Sequence, residues 1–442
     1  MTSLHASATF AKKEFLKIVA VAGIGTTLDF FDWNIAAAAA ALVWPAIYYP
    51  SRDITTSAFY SLAVFILGFF ARPVGAFVFG HVGDRMGRKS TMILTVAVMG
   101  GGSLGIALTP GFKSWGVAGG YLILVFRLIQ GLGVGGEVGG GTSWILEAAV
   151  RTGTKWRGFW GSWNGATSML GTLMGTLAMA IAVAVFGGAT NPSFLDYGWR
   201  IPFVLGAVLS VVGLLMRLTT QESPMFKELK ERKGLERLPA VKALKEMPKT
   251  IIYLVMAYFS SSAVLYIAVV FSMSYVNVLS PELASIAPLV VTVGVVVDIL
   301  IGFIGGILSD VIGRKRTVLL SVFFSMILLV PAFMLINTKS VPLVFLAEIL
   351  LFVGPGTVVG FLPLFFCECF PTRHRYSGAG MCQGFSATIG AVNPLIMSYI
   401  LTFFASPLVG WPYMLIPTYG FLILAIIGTL KLPETRGKDL EF

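Results

Sequence analysis

Apolar residues run along this chain in blocks of twenty or more, and polar residues collect in the short gaps between the blocks. A helix rises 1.5 Å per residue, so about 20 apolar residues cross a hydrocarbon core ~30 Å thick. Twelve blocks meet that test and predict spans over 16–43, 58–80, 91–110, 118–147, 158–187, 200–219, 250–278, 285–309, 317–336, 342–367, 378–404 and 411–431. The blocks are continuous rather than alternating, which excludes a membrane barrel. The first is not a cleaved signal peptide: it is too long, and Asp29 and Asp32 stand where such a segment is apolar.

Composition narrows the class. Hydrophobic residues make up 56% of the 442, charged residues 12%, and mean hydropathy is +0.85. A soluble domain carries roughly 25% charged residues and could not hide this much apolar surface. The net charge of +11 does not point to nucleic acid, because no basic domain is present to carry it. Of the 32 Lys and Arg residues, 26 fall on one side of the predicted membrane and four on the other, with Arg72 and Arg127 inside spans. The positive-inside rule then places both termini in the cytoplasm of a cell-membrane protein, as an even number of spans also requires.

Residues 220–249 form the one long connection and divide the chain into 1–219 and 250–442, six spans each. This segment mixes basic residues with Glu222, Glu228, Glu231, Glu236 and Glu246, and reads as a solvated amphipathic linker or a lipid-facing switch. Cys367, Cys369 and Cys382 are odd in number and lack the paired spacing of a zinc site, so they read as core residues. No metal or cofactor is implied.

The two halves echo each other. Asp84-Arg85-Met86-Gly87-Arg88-Lys89 follows span 2, and Asp310-Val311-Ile312-Gly313-Arg314-Lys315 follows span 8, 226 residues later. Arg157-Gly158 opens span 5, and Ser377-Gly378 opens span 11, 220 residues later. Duplicated halves are a transporter signature: substrate binds between them near the midplane, and they rock around it.

Charges inside spans cost several kcal/mol unless paired or hydrated. They are Asp29, Asp32, Arg72, Arg127, Glu137, Asp298 and Glu348. Each reads either as a structural ion pair or as part of a transport site. Asp29 lies 11 residues past Ile18, roughly 16 Å into the core, and Asp298 lies at similar depth in the other half. Asp29 and Asp32 are three apart and share a helix face. Burial beside a like charge favours the protonated form of a carboxyl group. Asp29 and Asp32 are therefore the first proton-coupling candidates, Glu137 the next and Asp298 the third. Arg72 precedes Pro73, where support of the backbone is a plausible role. Trp33, Asn34, Gln130, Trp163, Asn164, Tyr266 and Gln383, with Arg127, are the candidate substrate-binding residues, because buried amides need partners. Gly131-Leu-Gly-Val-Gly-Gly136 has a dinucleotide-binding spacing but follows no strand, and reads as close helix packing.

The stretch from Ala71-Arg72-Pro73 through Gly80-His81 to Asp84–Lys89 closely resembles the loop 2–3 signature of the major facilitator superfamily, in its metabolite:proton symporter branch. Arg127-Leu-Ile-Gln-Gly-Leu-Gly-Val-Gly-Gly-Glu137, Phe370-Pro-Thr-Arg373 and Leu432-Pro-Glu-Thr-Arg-Gly-Lys438 fit the same branch. Span 1 departs from it: Asp29-Phe-Phe-Asp-Trp-Asn34 keeps two acids but places Trp33 and Asn34 where the branch has aromatic residues. The resemblance implies an all-α membrane protein of twelve helices in two six-helix halves. It implies proton-coupled symport of a small polar metabolite, an organic acid or a zwitterion, by a monomer in the lipid bilayer. Carriage of sugars or organic cations is the alternative. It also implies a latch that closes the cytoplasmic side, formed by Asp84, Arg85, Arg88 and Glu147 with the repeat-related Asp310 and Arg314; the physical basis is an acid facing a helix N-terminus across the halves.

Overall fold

The computed structural model describes residues 23, 26–86, 88–135, 145–146, 149, 154–219 and 239–438. The described residues are almost wholly helical, and twelve helical spans follow one another. In chain order they are α1 (26–47), α2 (Ile54–Met86), α3 (Arg88–Leu108), α4 (Val117–Gly135), α5 (Arg157–Val185), α6 (Arg200–Thr219), α7 (Pro248–Leu279), α8 (Ala287–Ile312), α9 (Arg314–Asn337), α10 (Val341–Glu368), α11 (Thr372–Leu401) and α12 (Pro407–Lys431). Ten are long and apolar enough to cross a membrane by themselves. In the third, Ile93–Leu108 is a shorter apolar run that follows a charged first turn.

Two predicted spans are less regular than their hydropathy. α7 passes through a wide turn at Ile267–Phe271, where each amide bonds five residues back, before it resumes as Ser272–Leu279. α10 breaks after Val359 and restarts at Leu362-Pro363. Proline suits the first turn of a helix, where its missing N–H would have no partner anyway, and Pro363 sits there at the restart. Of the linker, the described part holds one short helix, Pro239–Glu246.

Glycine sets the helix spacing. A Cβ on Gly131 of α4 would lie 1.9 Å from the Gly68 carbonyl oxygen of α2, and one on Gly75 would lie 2.1 Å from that of Leu132. These two helices touch backbone to backbone, which only a missing side chain permits. Within α1, Ala36 to Ala41 are wholly buried, so this helix is enclosed by its neighbours.

The first six and last six helices meet along two seams, α5 with α8 and α2 with α11. In the α5–α8 seam, Ser162 donates to the Gly302 carbonyl at 3.1 Å, and the Thr176 and Thr292 hydroxyls meet at 2.9 Å near the far end. In the α2–α11 seam, Thr388 donates to the Phe69 carbonyl at 3.1 Å, and Phe59 lies against Tyr399. Asn277 of α7 donates to the Ala41 carbonyl of α1 at 3.0 Å. These contacts join the halves at both faces of the described bundle.

Candidate functional site

The midsection of the first half carries a hydrogen-bonded chain built from three helices. Arg127 and Gln130 are one turn apart on α4, and Arg127 Nη1 donates to Gln130 Oε1 at 2.8 Å. Gln130 Nε2 donates to Asp32 Oδ2 of α1 and to Ser103 Oγ of α3, each at 2.7 Å. The Ser103 hydroxyl donates in turn to Asp32 Oδ1. Asp32 is 4% exposed and Arg127 not at all. Glycines make the room: a Cβ on Gly206 of α6 would stand 2.8 Å from Asp32 Oδ1, and one on Gly102 would stand 2.7 Å from the Gln130 side chain.

This chain connects an acid to a cation through an amide. Arg127 also donates to the Phe65 carbonyl at 3.2 Å, and its guanidinium stacks on the Trp33 and Phe65 rings at 4.0 and 4.6 Å. Its two terminal nitrogens thus have protein partners, while its Nε is buried without a hydrogen bond among the described residues. A second guanidinium shares the indole: Arg72 of α2 lies 4.1 Å from the Trp33 ring and 4.3 Å from Phe69. Tyr266 of α7 packs edge-on against Phe69 at 5.1 Å, and Gln383 of α11 is within hydrogen-bonding reach of Tyr258 of α7. The two arginines therefore stand where both halves contribute side chains.

The other sequence-derived candidates scatter. Asp29 and Asp32, predicted on one face, have different surroundings: Asp32 is buried in the chain just described, while Asp29 is partly exposed and acts electrostatically on Arg72. Asn34 is not in this cluster; it donates to the Phe30 carbonyl and to Thr172 Oγ1, tying α1 to α5. Trp163 is 39% exposed and leans on Phe303, and Asn164 is buried with its carbonyl accepting from Ser168. Helical periodicity turns Trp163 toward α8, a direction that sequence spacing alone does not reveal. Asp298 of α8 is fully buried, and neither carboxyl oxygen has a hydrogen-bond partner among the described residues. Glu348 of α10 is also buried, and Ser272 donates to it at 3.3 Å. Glu137 and Glu147, with the side chains of Asp84, Arg85 and Arg88, lie outside the described residues. Ser103 was missed, since one serine in an apolar span gives no signal.

A second polar cluster lies at the basic face. Asp310, ending α8, accepts from the backbone N–H groups of Gly158 and Phe159 at 2.8 and 2.9 Å. These open α5, so a carboxylate of one half caps a helix N-terminus of the other and complements its dipole. Arg314 holds that carboxylate at 2.7 Å and also donates to both oxygens of Glu368, at 3.2 and 3.3 Å. Thr435 completes Glu368 at 2.6 Å. Glu368 lies 221 residues after Glu147, close to the repeat offset, so the duplication could have pointed to it. Glu434 caps α9: it accepts from the backbone of Arg314 and Lys315 and from Thr435 and Arg436. Partial burial pushes its carboxyl up, but these four donors outweigh that and hold it below the usual value. Among the described residues, no three His, Cys, Asp or Glu side chains are grouped to hold a metal.

Comparison with known proteins places this geometry. The chain is 30% identical to the inner membrane metabolite transport protein YhjE of Escherichia coli (strain K12), over 96% of this chain and 95% of that protein. It is 26% identical to the proline/betaine transporter of the same organism, over 96% and 85%. In three dimensions it is similar to the proton:xylose symporter XylE, with a TM-score of 0.70, 16% identity, and 97% and 98% of the two chains covered. The sequence profile described as Major Facilitator Superfamily matches residues 22–392, and the chain belongs to that superfamily of multi-pass membrane transporters.

Proposed function

We propose that this transporter carries protons inward together with a small carboxylate-bearing metabolite, an organic acid or a zwitterion, with its basic face and both termini in the cytoplasm of the cell membrane. The observation that carries this reading is the Asp32–Gln130–Arg127 chain. A buried site tolerates little net charge. While Asp32 is ionised it offsets the cation at Arg127. Once Asp32 takes a proton that cation is uncompensated, and an incoming carboxylate restores the balance. Proton and anion thus favour each other's binding, which is the thermodynamic content of coupling. Asp29, Glu137 and Asp298 remain the further candidates for proton transfer. Trp33 and Gln130 shape the site from the first half; Tyr266 and Gln383 face it from the second.

The relatives named proline/betaine transporter, and the fold shared with a proton symporter, are consistent with this reading. In the same reading the Asp310–Arg314–Glu368 cluster locks the cytoplasmic side, and Asp84, Arg85, Arg88 and Glu147 form its counterpart in the first half. The test is uptake into proteoliposomes under an imposed pH gradient, acid outside, with proline, glycine betaine, succinate and xylose. Accumulation of a carboxylate compound, abolished by a protonophore, is the expected result. Accumulation of xylose alone, or uptake indifferent to the gradient, would reject the reading.

A further inference from the structure

We propose that Arg72 is the anion-binding residue of the transport site, and that it takes the carboxylate of the transported compound. This rests on the transport reading above and adds the group that recognises the substrate. Arg72 makes no hydrogen bond or ion pair among the described residues, and its Nε is shielded from solvent without a partner. A guanidinium has five N–H donors in a planar fork, and leaving them unmet inside a protein is costly. Arg127 also has a buried Nε without a partner, but its two terminal nitrogens are taken by Gln130 and the Phe65 carbonyl, whereas those of Arg72 make no such bond among the described residues.

The surroundings of Arg72 suit a small carboxylate. Trp33 and Phe69 hold the guanidinium plane by stacking, which leaves its edge available for a bidentate partner. Tyr258 and Tyr266 of the second half lie close enough to act on its charge, and Gln383 is beside Tyr258. Phenol and amide donors there would meet the remaining lone pairs of the anion. Asp29 of α1 also acts electrostatically on Arg72. The cationic pair Arg72 and Arg127 around one indole disfavours an organic cation. Because α2 supplies the arginine and α7 and α11 the other donors, a bound carboxylate would bridge the halves, and closure would depend on it.

The experiment is isothermal titration of the full-length protein in nanodiscs. The probes are glycine betaine, proline and succinate; choline, which is glycine betaine with a hydroxymethyl group for the carboxylate, is the control, and xylose is the neutral comparison. The wild type is expected to bind at least one carboxylate probe and to bind choline at least tenfold more weakly. Arg72→Gln should weaken that probe tenfold or more. Arg72→Lys, which keeps the charge and the stem but not the fork, should weaken it measurably with an unchanged ligand-free melting temperature. The Lys variant carries the test if the Gln variant does not fold. Wild-type affinity in a folded Arg72 variant overturns the proposal, as does failure of every carboxylate probe to bind the wild type. Carboxylate binding that needs Arg72 but drives no proton-linked uptake would reject the coupling reading and leave this one standing.

Discussion

Arg127 donates to the amide oxygen of Gln130 at 2.8 Å, and that bond decides which way the Gln130 amide faces. With its oxygen held by the guanidinium, its nitrogen is presented to Asp32 and Ser103. A glutamate here would keep the Arg127 contact, lose the donor to Asp32 and set a second negative charge against it. Gln130→Glu is expected to abolish uptake driven by a pH gradient while the protein still folds. Proteoliposome uptake compared with the melting curve of the same preparation checks both halves of the statement.

Asp32 and Asp29 are distinguished by their surroundings. Asp32→Asn removes the acid that faces Arg127 through Gln130, so uphill uptake should be lost while counterflow exchange persists, because exchange does not require an empty deprotonated carrier to return. Asp29→Asn should have the smaller effect, since Asp29 is outside that chain. Counterflow with and without a gradient in the two single variants decides it; equal defects would mean that the aspartates work as one unit.

Arg314 serves two carboxylates whose side chains are almost fully buried, Asp310 and Glu368. Removing one partner from a buried ion pair strands a charge and costs about 3–5 kcal/mol. Arg314→Ala should therefore lower the melting temperature strongly. Asp310→Asn weakens both the cap on Gly158 and Phe159 and the ion pair with Arg314, but keeps an oxygen for the cap and leaves Arg314 paired with Glu368, so it should cost less stability than Arg314→Ala while loosening the basic face. Thiol labelling of a cysteine introduced near Ser162 is expected to become faster in Asp310→Asn; an unchanged rate would refute a locking role.

Gly131 tests the backbone contact between α4 and α2. A methyl group there would overlap the Gly68 carbonyl, and backbone cannot swing aside as a side chain can. Overpacking of this kind costs about 1–3 kcal/mol or more. Gly131→Ala should show a clear drop in melting temperature, whereas Gly101→Ala, where a Cβ meets nothing within 4 Å, should be neutral.

Glu434 gives a pH signature. Its carboxyl is held below the ordinary value of 4.5, so the ionised form is favoured by folding. Its contribution is fully present above that ordinary value and is lost as pH falls through the depressed one. Melting of wild type and Glu434→Gln should differ at pH 7, with the wild type higher, and converge as the pH is taken below about 4. A gap that stays constant down to strong acid would show that the cap acts without its charge.

Much of the architecture was legible in the chain. Span number follows from the length of apolar runs, because bilayer thickness imposes a minimum that few other constraints share. The repeat was legible because Asp84–Lys89 and Asp310–Lys315 share their leading acid, their glycine and their closing Arg-Lys pair. That an acid after a span would face a helix N-terminus across the halves also followed, and Asp310 at Gly158 has that geometry. Which polar side chains meet was not legible. Asp32, Ser103, Gln130 and Arg127 come from three helices separated by up to 98 residues, and their meeting depends on the rotation of each helix and on glycines such as Gly102 and Gly206 that let side chains pass. Asn34 and Trp163 carry equally suggestive chemistry but are turned to other neighbours. Hydropathy records how deep a residue sits, while rotation about the helix axis is set by packing. The sequence by itself therefore determined the spans, their duplication and the placement of charge within them; the tertiary structure alone decided which of those charges are partnered, and left Arg72 stacked on rings with no hydrogen bond or ion pair among the described residues.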